Sequence, residues 1–84
     1  MKHCLFTFRS VTPAQRAESL LRRSGITCDL RRTPRWMEEK GCGYSLRLHL
    51  QDAQRAAQAL RSDQLPFRKV YLQNESGAVE EMSL

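Results

Sequence analysis

The sequence lacks any apolar run close to the about 20 residues that a membrane-spanning helix needs. Its first nine residues also lack the apolar core of a secretory signal peptide, and they resemble a β-strand instead. We therefore expect a cytoplasmic protein with no membrane segment. The 84 residues suffice for one small domain, and an apolar content of 40% supports a modest core.

Cysteines are few and lack the spacings of metal or redox motifs. The chain holds only Cys4, Cys28 and Cys42, and no C-x-x-C pair. An odd number of cysteines argues against a disulfide scaffold, and the spacing argues against a zinc knuckle or a dithiol redox motif. We expect neither a metal site nor a cofactor. Cys4 and Cys28 have the strand parity of core residues, which predicts that both are buried.

The positive charge is concentrated in the first half of the chain. The net charge is +5, and residues 1–42 contain nine Lys and Arg against four Asp and Glu, whereas residues 43–84 contain five of each kind. Such a balance is typical of proteins that bind nucleic acid or an anionic ligand, and also of a merely solvated basic surface.

Alternation of apolar and polar residues predicts four strands, over 4–8, 26–31, 44–50 and 67–72. The third is the clearest, because seven residues alternate strictly. Two helices are predicted between them. The first has Thr12 as its N-cap, a capping box with Gln15 and a stop at Gly25, and the second runs from a cap at Asp52 to about Ser62.

The order βαββαβ is that of a ferredoxin-like α+β fold with a four-stranded sheet. Each helix has one apolar stripe, so both helices should cover the same face of the sheet. We predict a single domain over residues 1–72 and a flexible acidic tail over 73–84. The opposite face of the sheet is predicted to be open to solvent and to carry Thr7, Arg9, Asp29, Arg31, Ser45, Arg47, His49, Lys69 and Tyr71.

Gly41-Cys42-Gly43, immediately before the third strand, is the strongest candidate for a chemical site. The flanking glycines leave the thiol little steric cover. Nearby cations lower the pKa of a thiol, and Arg35, Lys40 and Arg47 are the nearest candidates in the sequence. Cys42 is therefore either an activated nucleophile or group carrier, or an unreactive loop thiol. The candidate anion-binding residues are Arg35, Lys40, Gly41, Gly43 and Arg47.

The open face also invites comparison with RNA-recognition motifs, which share this element order. Those domains stack bases on aromatic side chains of the central strands. The third strand here presents Ser45, Arg47 and His49 instead, and only Tyr71 on the last strand is placed to stack. Nucleic acid is therefore not the favoured ligand.

Several short motifs resemble one family of small ferredoxin-like domains. These motifs are Ser24-Gly25-Ile26, Pro34-Arg35, Cys42-Gly43 and Leu46-Arg47. Over about residues 3–72 the chain is similar to domains labelled selenium/sulfur carrier-like. The resemblance implies a carrier or accessory protein, not a turnover enzyme, with sulfur or selenium held on Cys42 and with a donor or acceptor protein as partner.

Two other functions stay open on the sequence alone. One is a non-catalytic interaction module that pairs through the open sheet face or an edge strand, and a homodimer is one such assembly. The other is a basic nucleic-acid-binding domain.

Overall fold

A computed structural model describes residues 2–33 and 43–84. The described residues form β1 (His3–Phe8), α1 (Val11–Arg23), β2 (Cys28–Arg32), β3 (Tyr44–His49), α2 (Ala53–Ser62), β4 (Val70–Gln73) and β5 (Val79–Met82). A single 3-10 turn, Leu50–Asp52, leads into α2. Within these ranges no helix is long and apolar enough to cross a membrane.

The strands form one antiparallel sheet in the order β2-β3-β1-β4-β5. β1 lies at its centre and pairs along its whole length with β3, from His3 opposite His49 to Phe8 opposite Tyr44. On its other side β1 pairs with β4. The α+β class and the predicted element order are confirmed, but the sheet has five strands and not four.

The core lies between the helices and one face of the sheet. Alternate residues of β1, Cys4, Phe6 and Phe8, are fully buried there. Both helices contribute to the same core through small side chains and single leucines, namely Ala14, Ala17, Leu21, Ala53, Ala56, Ala57 and Leu60. Alanine lets a helix approach the sheet closely, so two short helices cover one face, as predicted.

The fifth strand, β5, lies within residues 73–84, which were predicted to form a flexible acidic tail. A turn stabilised by Asn74 connects it to β4. The Asn74 Oδ1 accepts hydrogen bonds from the backbone N–H of Ser76 and of Ala78, both at 3.1 Å. Gly77 adopts a φ of +90°, which favours glycine. Met82 then packs against the core, so apolar burial holds β5 on the sheet.

The first helix begins earlier than the capping box predicts. Its N-cap is Ser10, with an extended φ of −156°, and Thr12 is already inside the helix. The prediction of Thr12 as the cap is therefore wrong. Pro13 lies in the first turn, where backbone N–H groups have no partner inside the helix, so proline is tolerated there as well as at the first position. The second helix has the predicted cap, Asp52, and the predicted end, Ser62.

Both helices end in the same hydrogen-bonding motif. After α1 the N–H of Ile26 donates to Leu21 at 2.9 Å, and that of Gly25 donates to Arg22 at 3.1 Å. This is a Schellman motif, which places one residue in the left-handed conformation. Gly25 is that residue, with a φ of +81°.

After α2 the left-handed position is occupied by Gln64, with a φ of +56°. The bonds are equivalent, because Leu65 donates to Leu60 at 2.8 Å and Gln64 donates to Arg61 at 3.1 Å. A residue with a Cβ pays a steric cost in this conformation, so α2 ends with local backbone strain that α1 avoids.

Gln64→Gly is expected to raise the free energy of unfolding by up to about 1 kcal/mol. Glycine removes the steric strain of the left-handed conformation, and this gain outweighs the greater conformational entropy that glycine gives the unfolded chain. Gly25→Ala is the matched reverse change and should lower it by about 1 kcal/mol. Within residues 2–33 and 43–84, no atom beyond the two neighbours of Gly25 lies within 4 Å of a Cβ built there, so the expected effect comes from φ. Urea unfolding of both variants tests this, and a loss of stability in Gln64→Gly would contradict it.

Candidate functional site

The predicted site residues divide into two groups. Cys42, Arg35, Lys40 and Gly41 lie outside the described residues. Gly43 and Arg47 are described. The Gly43 carbonyl accepts a hydrogen bond of 3.0 Å from the N–H of Thr33, so that β2 and β3 are tied together where β3 begins.

The sheet face opposite the helices carries the described site residues, and we call it the outer face. Three cross-strand rows form on it. The middle row contains Asp29, Arg47, Leu5, Tyr71 and Glu81, which lie opposite one another on the five strands. The flanking rows contain Arg31, Ser45 and Thr7 on one side and His49, His3 and Gln73 on the other.

Part of the outer face is buried, although the sequence predicted that it is open. Thr7 and Ser45 are each only 1% exposed. The Thr7 hydroxyl accepts a 3.0 Å hydrogen bond from the N–H of Lys69 and is 3.3 Å from its carbonyl oxygen. Ser45 has a short side chain that lies between Thr7 and Arg31 on the neighbouring strands. Alternation gave the correct face for both residues but not their exposure.

A cavity of about 520 Å³ opens on the outer face, and we call it the arginine cavity. It is lined by Leu5, Arg31, Arg32, Ser45, Arg47 and Gln73. A neighbouring cavity of about 360 Å³ shares Arg47 and Gln73 with it. The larger volume is within the range of small-molecule sites. Arg47 therefore stands between two recesses of the same face.

The guanidinium of Arg47 has little to balance its charge. Its Nη2 lies 3.2 Å from the Nδ1 of His3, a neutral acceptor. Its Nε is buried and has no hydrogen-bond partner in the described part of the chain. The ion pairs formed within residues 2–33 and 43–84 do not include Arg47. A half-buried cation without a counter-ion favours the binding of an anion.

Two more buried polar atoms at the arginine cavity lack partners. Among the described residues, neither the Ser45 Oγ nor the Gln73 Oε1 makes a hydrogen bond. Buried polar atoms are normally bonded, and each exception costs free energy. Together with the Arg47 Nε, three such atoms belong to residues that line one cavity. This clustering is typical of a site that binds a polar ligand.

A second arginine, Arg31, adds positive charge at the cavity. Arg31 has one weak ion pair, 3.8 Å from Asp29, and both side chains are more than half exposed, so the pair removes little of its charge. Arg32 also borders the cavity, but it pairs with Tyr44 in the row of the buried Phe8, and its guanidinium stacks 5.4 Å from the centre of the Tyr44 ring on that side of the sheet.

Of the residues that line this cavity, only Arg47 is among the site residues predicted from the sequence. Arg31 and Ser45 had the correct parity but were treated as general surface. The pairing of β2 with β3 provides a signal for these residues. When the two strands pair antiparallel, Arg31 lies opposite Ser45, and Ser45 is two residues from Arg47 on the same face. Gln73 was unrecognisable, since its strand was predicted to end at Leu72.

A histidine pair borders the site. The rings of His3 and His49 stack with centroids 5.2 Å apart. Burial and the nearby charges of Arg47 and His49 lower the pKa of His3. His3 is therefore neutral at pH 7, and its Nδ1 is free to accept the hydrogen bond from Arg47.

The two described cysteines are unreactive core residues, as predicted. Cys4 is 0% exposed and Cys28 is 3% exposed. Burial raises the pKa of Cys4 to about 12. Burial and the carboxylate of Glu18 raise the pKa of the Cys28 thiol. Since the thiolate is the nucleophile, neither residue competes for an electrophile in the folded protein.

Cys42 is expected to be alkylated first when the folded protein is treated briefly with iodoacetamide. The reason is that Cys4 and Cys28 are both buried and protonated. Peptide mapping of the labelled protein measures the order. In denaturant all three thiols should react at similar rates, which provides the control. Labelling of Cys4 or Cys28 before Cys42 in the folded protein would contradict the expectation.

Protonation of His3 should destabilise the fold. Because the pKa of His3 is lower in the folded than in the unfolded state, the unfolded chain binds more protons below about pH 6.5, and stability falls as the pH falls through that window. His3→Gln should reduce this acid-dependent loss. Urea unfolding at about pH 7.5 and about pH 5.5 measures it. The same pH dependence in both proteins would show that His3 does not contribute.

Comparison with known proteins identifies a family for this chain. The model of a family described as “Putative Se/S carrier protein-like” matches residues 3–72, from the start of β1 to the penultimate residue of β4. No curated protein and no solved structure is significantly similar to the chain. Because the match covers most of the sequence, the chain belongs to the Se/S carrier protein-like family.

Proposed function

We propose that this protein carries sulfur or selenium as an adduct of Cys42. Membership of the Se/S carrier protein-like family supports the proposal. The observation that carries it is the cationic, incompletely bonded Arg47 on β3, because β3 begins two residues after Cys42 in the sequence. A positively charged face suits a group that is anionic both as a thiolate and as a persulfide.

The transfer needs no cofactor. The Cys42 thiolate attacks the outer sulfur of a donor persulfide, R–S–SH. A new S–S bond forms on Cys42 as the donor S–S bond breaks, and the donor leaves as the thiolate R–S⁻ with the bonding electron pair. The proton stays on the transferred sulfur, so Cys42–S–SH and R–S⁻ balance the reactants without net oxidation. The S–H group of Cys42–S–SH then releases its proton to water, which gives the anionic persulfide. Attack of an acceptor thiolate on that outer sulfur repeats the step and regenerates Cys42.

The surrounding residues stabilise the anions. In this proposal Arg47 and Arg35 offset the negative charge of the thiolate and the persulfide, as cations do for reactive cysteines. Lys40 adds charge, and the backbone N–H groups at Gly41 and Gly43 supply donors that glycine leaves uncovered. Arg47 is suited to this role, because its Nε already lacks a partner among the described residues.

The proposal implies partners and a compartment. A carrier needs a donor protein and an acceptor protein. It also needs a reduced thiol, which favours the cytoplasm. The free thiols of Cys4 and Cys28 in the described part of the chain are compatible with that environment.

Incubation with a persulfide donor should add one sulfur atom, about 32 Da, to Cys42. Mass spectrometry of intact protein and of its peptides measures the adduct and its position. Cys42→Ser should abolish the adduct, while Cys28→Ala should retain it because Cys28 is buried. An unmodified Cys42 in folded protein would contradict the proposal and favour a non-catalytic interaction module.

Arg47→Ala should slow alkylation of Cys42 severalfold near neutral pH, since the thiolate loses a stabilising cation. Arg16→Ala is the matched control, because it removes the same charge from the exposed surface of α1. Alkylation rates between about pH 6 and pH 9 give the comparison. Equal rates in the two variants would show that Arg47 does not act on Cys42.

A further inference from the structure

We propose that the arginine cavity is a binding site for a phosphate-type oxyanion, and specifically for the phosphate group of a small molecule. The site consists of described residues only and does not include Cys42. It therefore goes beyond the proposed carrier function, and either proposal can fail without the other.

The first argument is charge. Arg31 and Arg47 present their guanidinium groups on the outer face and line the cavity, and of these two only Arg31 has a carboxylate among the described residues within ion-pair distance. A cation that is half removed from water without a counter-ion is costly. A bound dianion would offset this cost for the guanidinium groups of Arg31 and Arg47 together. Arginine is suited to phosphate because its planar fork donates two parallel hydrogen bonds.

The second argument is the set of unused hydrogen-bonding atoms. The Ser45 hydroxyl is 1% exposed and can donate one hydrogen bond, yet has no partner among the described residues. The Arg47 Nε–H is a second unused donor. The side-chain amide of Gln73 offers a donor when it rotates, or an acceptor for a protonated phosphate oxygen. A tetrahedral oxyanion has enough oxygens to bind all of these groups together.

The third argument selects a small molecule over a nucleic acid. Proteins that bind single strands combine a basic groove with aromatic side chains on which bases stack. The outer face of β1 and β3 has His3 and His49 but no Phe, Tyr or Trp. Carboxylates also flank the cavity: Asp29 lies opposite Arg47, and Glu75 lines the neighbouring cavity. A polyanionic strand that crosses the face would meet both carboxylates, whereas a single phosphate group can bind within the cavity, which neither carboxylate lines.

NMR of ¹⁵N-labelled protein titrated with inorganic phosphate tests the proposal directly. Binding should move the side-chain Nε–H signal of Arg47 and the backbone signal of Ser45, and the shifts should saturate. Arg47→Ala should abolish saturable binding. Arg16→Ala should preserve it, because the two variants have the same net charge and differ only in whether the charge lies at the cavity.

Ser45→Ala distinguishes a binding site from a structural serine. Loss of a hydrogen bond to a charged ligand should weaken phosphate binding about tenfold. Without phosphate the variant should melt at the same temperature as the wild type or higher, because an unpaired buried hydroxyl has been removed. A serine with only a structural role would give the reverse pattern, a lower melting temperature and unchanged binding.

Several outcomes would overturn the proposal. One is a linear, non-saturating response to phosphate that is the same in Arg47→Ala and Arg16→Ala. Another is Arg47-dependent binding of a short single-stranded RNA in the absence of a response to inorganic phosphate, which would assign the face to nucleic acid. Cys42→Ser is expected to bind phosphate like the wild type, so loss of persulfide formation and loss of phosphate binding are separable results.

Discussion

The pairing of β1 with β3 is the interaction on which the rest of the molecule depends. It places Phe6 opposite Leu46 toward the helices, and it places Leu5 opposite Arg47 toward the arginine cavity. Because strand side chains alternate, a shift of one residue would exchange the two faces. The fully buried Phe6 and Leu46 make such a shift very costly. The packing of the core thus fixes the position of Arg47 on the outer face.

This arrangement carries an energetic cost at the centre of the sheet. Ser45 and Arg47 lie on a strand that is paired on both sides, and an apolar side chain at position 45 would avoid an unbonded hydroxyl. Natural proteins depart from such local rules chiefly at functional sites. Ser45 and Arg47 are neighbours on the outer face of β3 and line the same cavity as Arg31. Function is therefore a better explanation of these departures than packing.

The βαββαβ order, though not the fifth strand, could be predicted from the sequence because its signals agreed with one another. Strict alternation from Tyr44 to Leu50, the Gly25 stop and the Asp52 cap all led to the observed elements. The strand β5 was missed because its segment, with Glu80 and Glu81, was interpreted by its charge, although Asn74 and Gly77 mark a turn. The arginine cavity was largely beyond prediction, because it depends on the exposure and bonding of Ser45, and alternation determines only the face.

The strand order places basic residues at one edge of the sheet and acidic residues at the other. The basic excess of residues 1–42 reaches the outer face through Arg31 on the edge strand β2, next to Arg47 on β3. At the opposite edge, β5 carries Glu80 and Glu81. A charge distribution of this kind attracts an anion to one side of the face and repels it from the other. An anionic ligand or an anionic sulfur group is therefore attracted to the β2–β3 side of the sheet. On that side β3 follows Gly43 and carries the buried donors of Ser45 and Arg47.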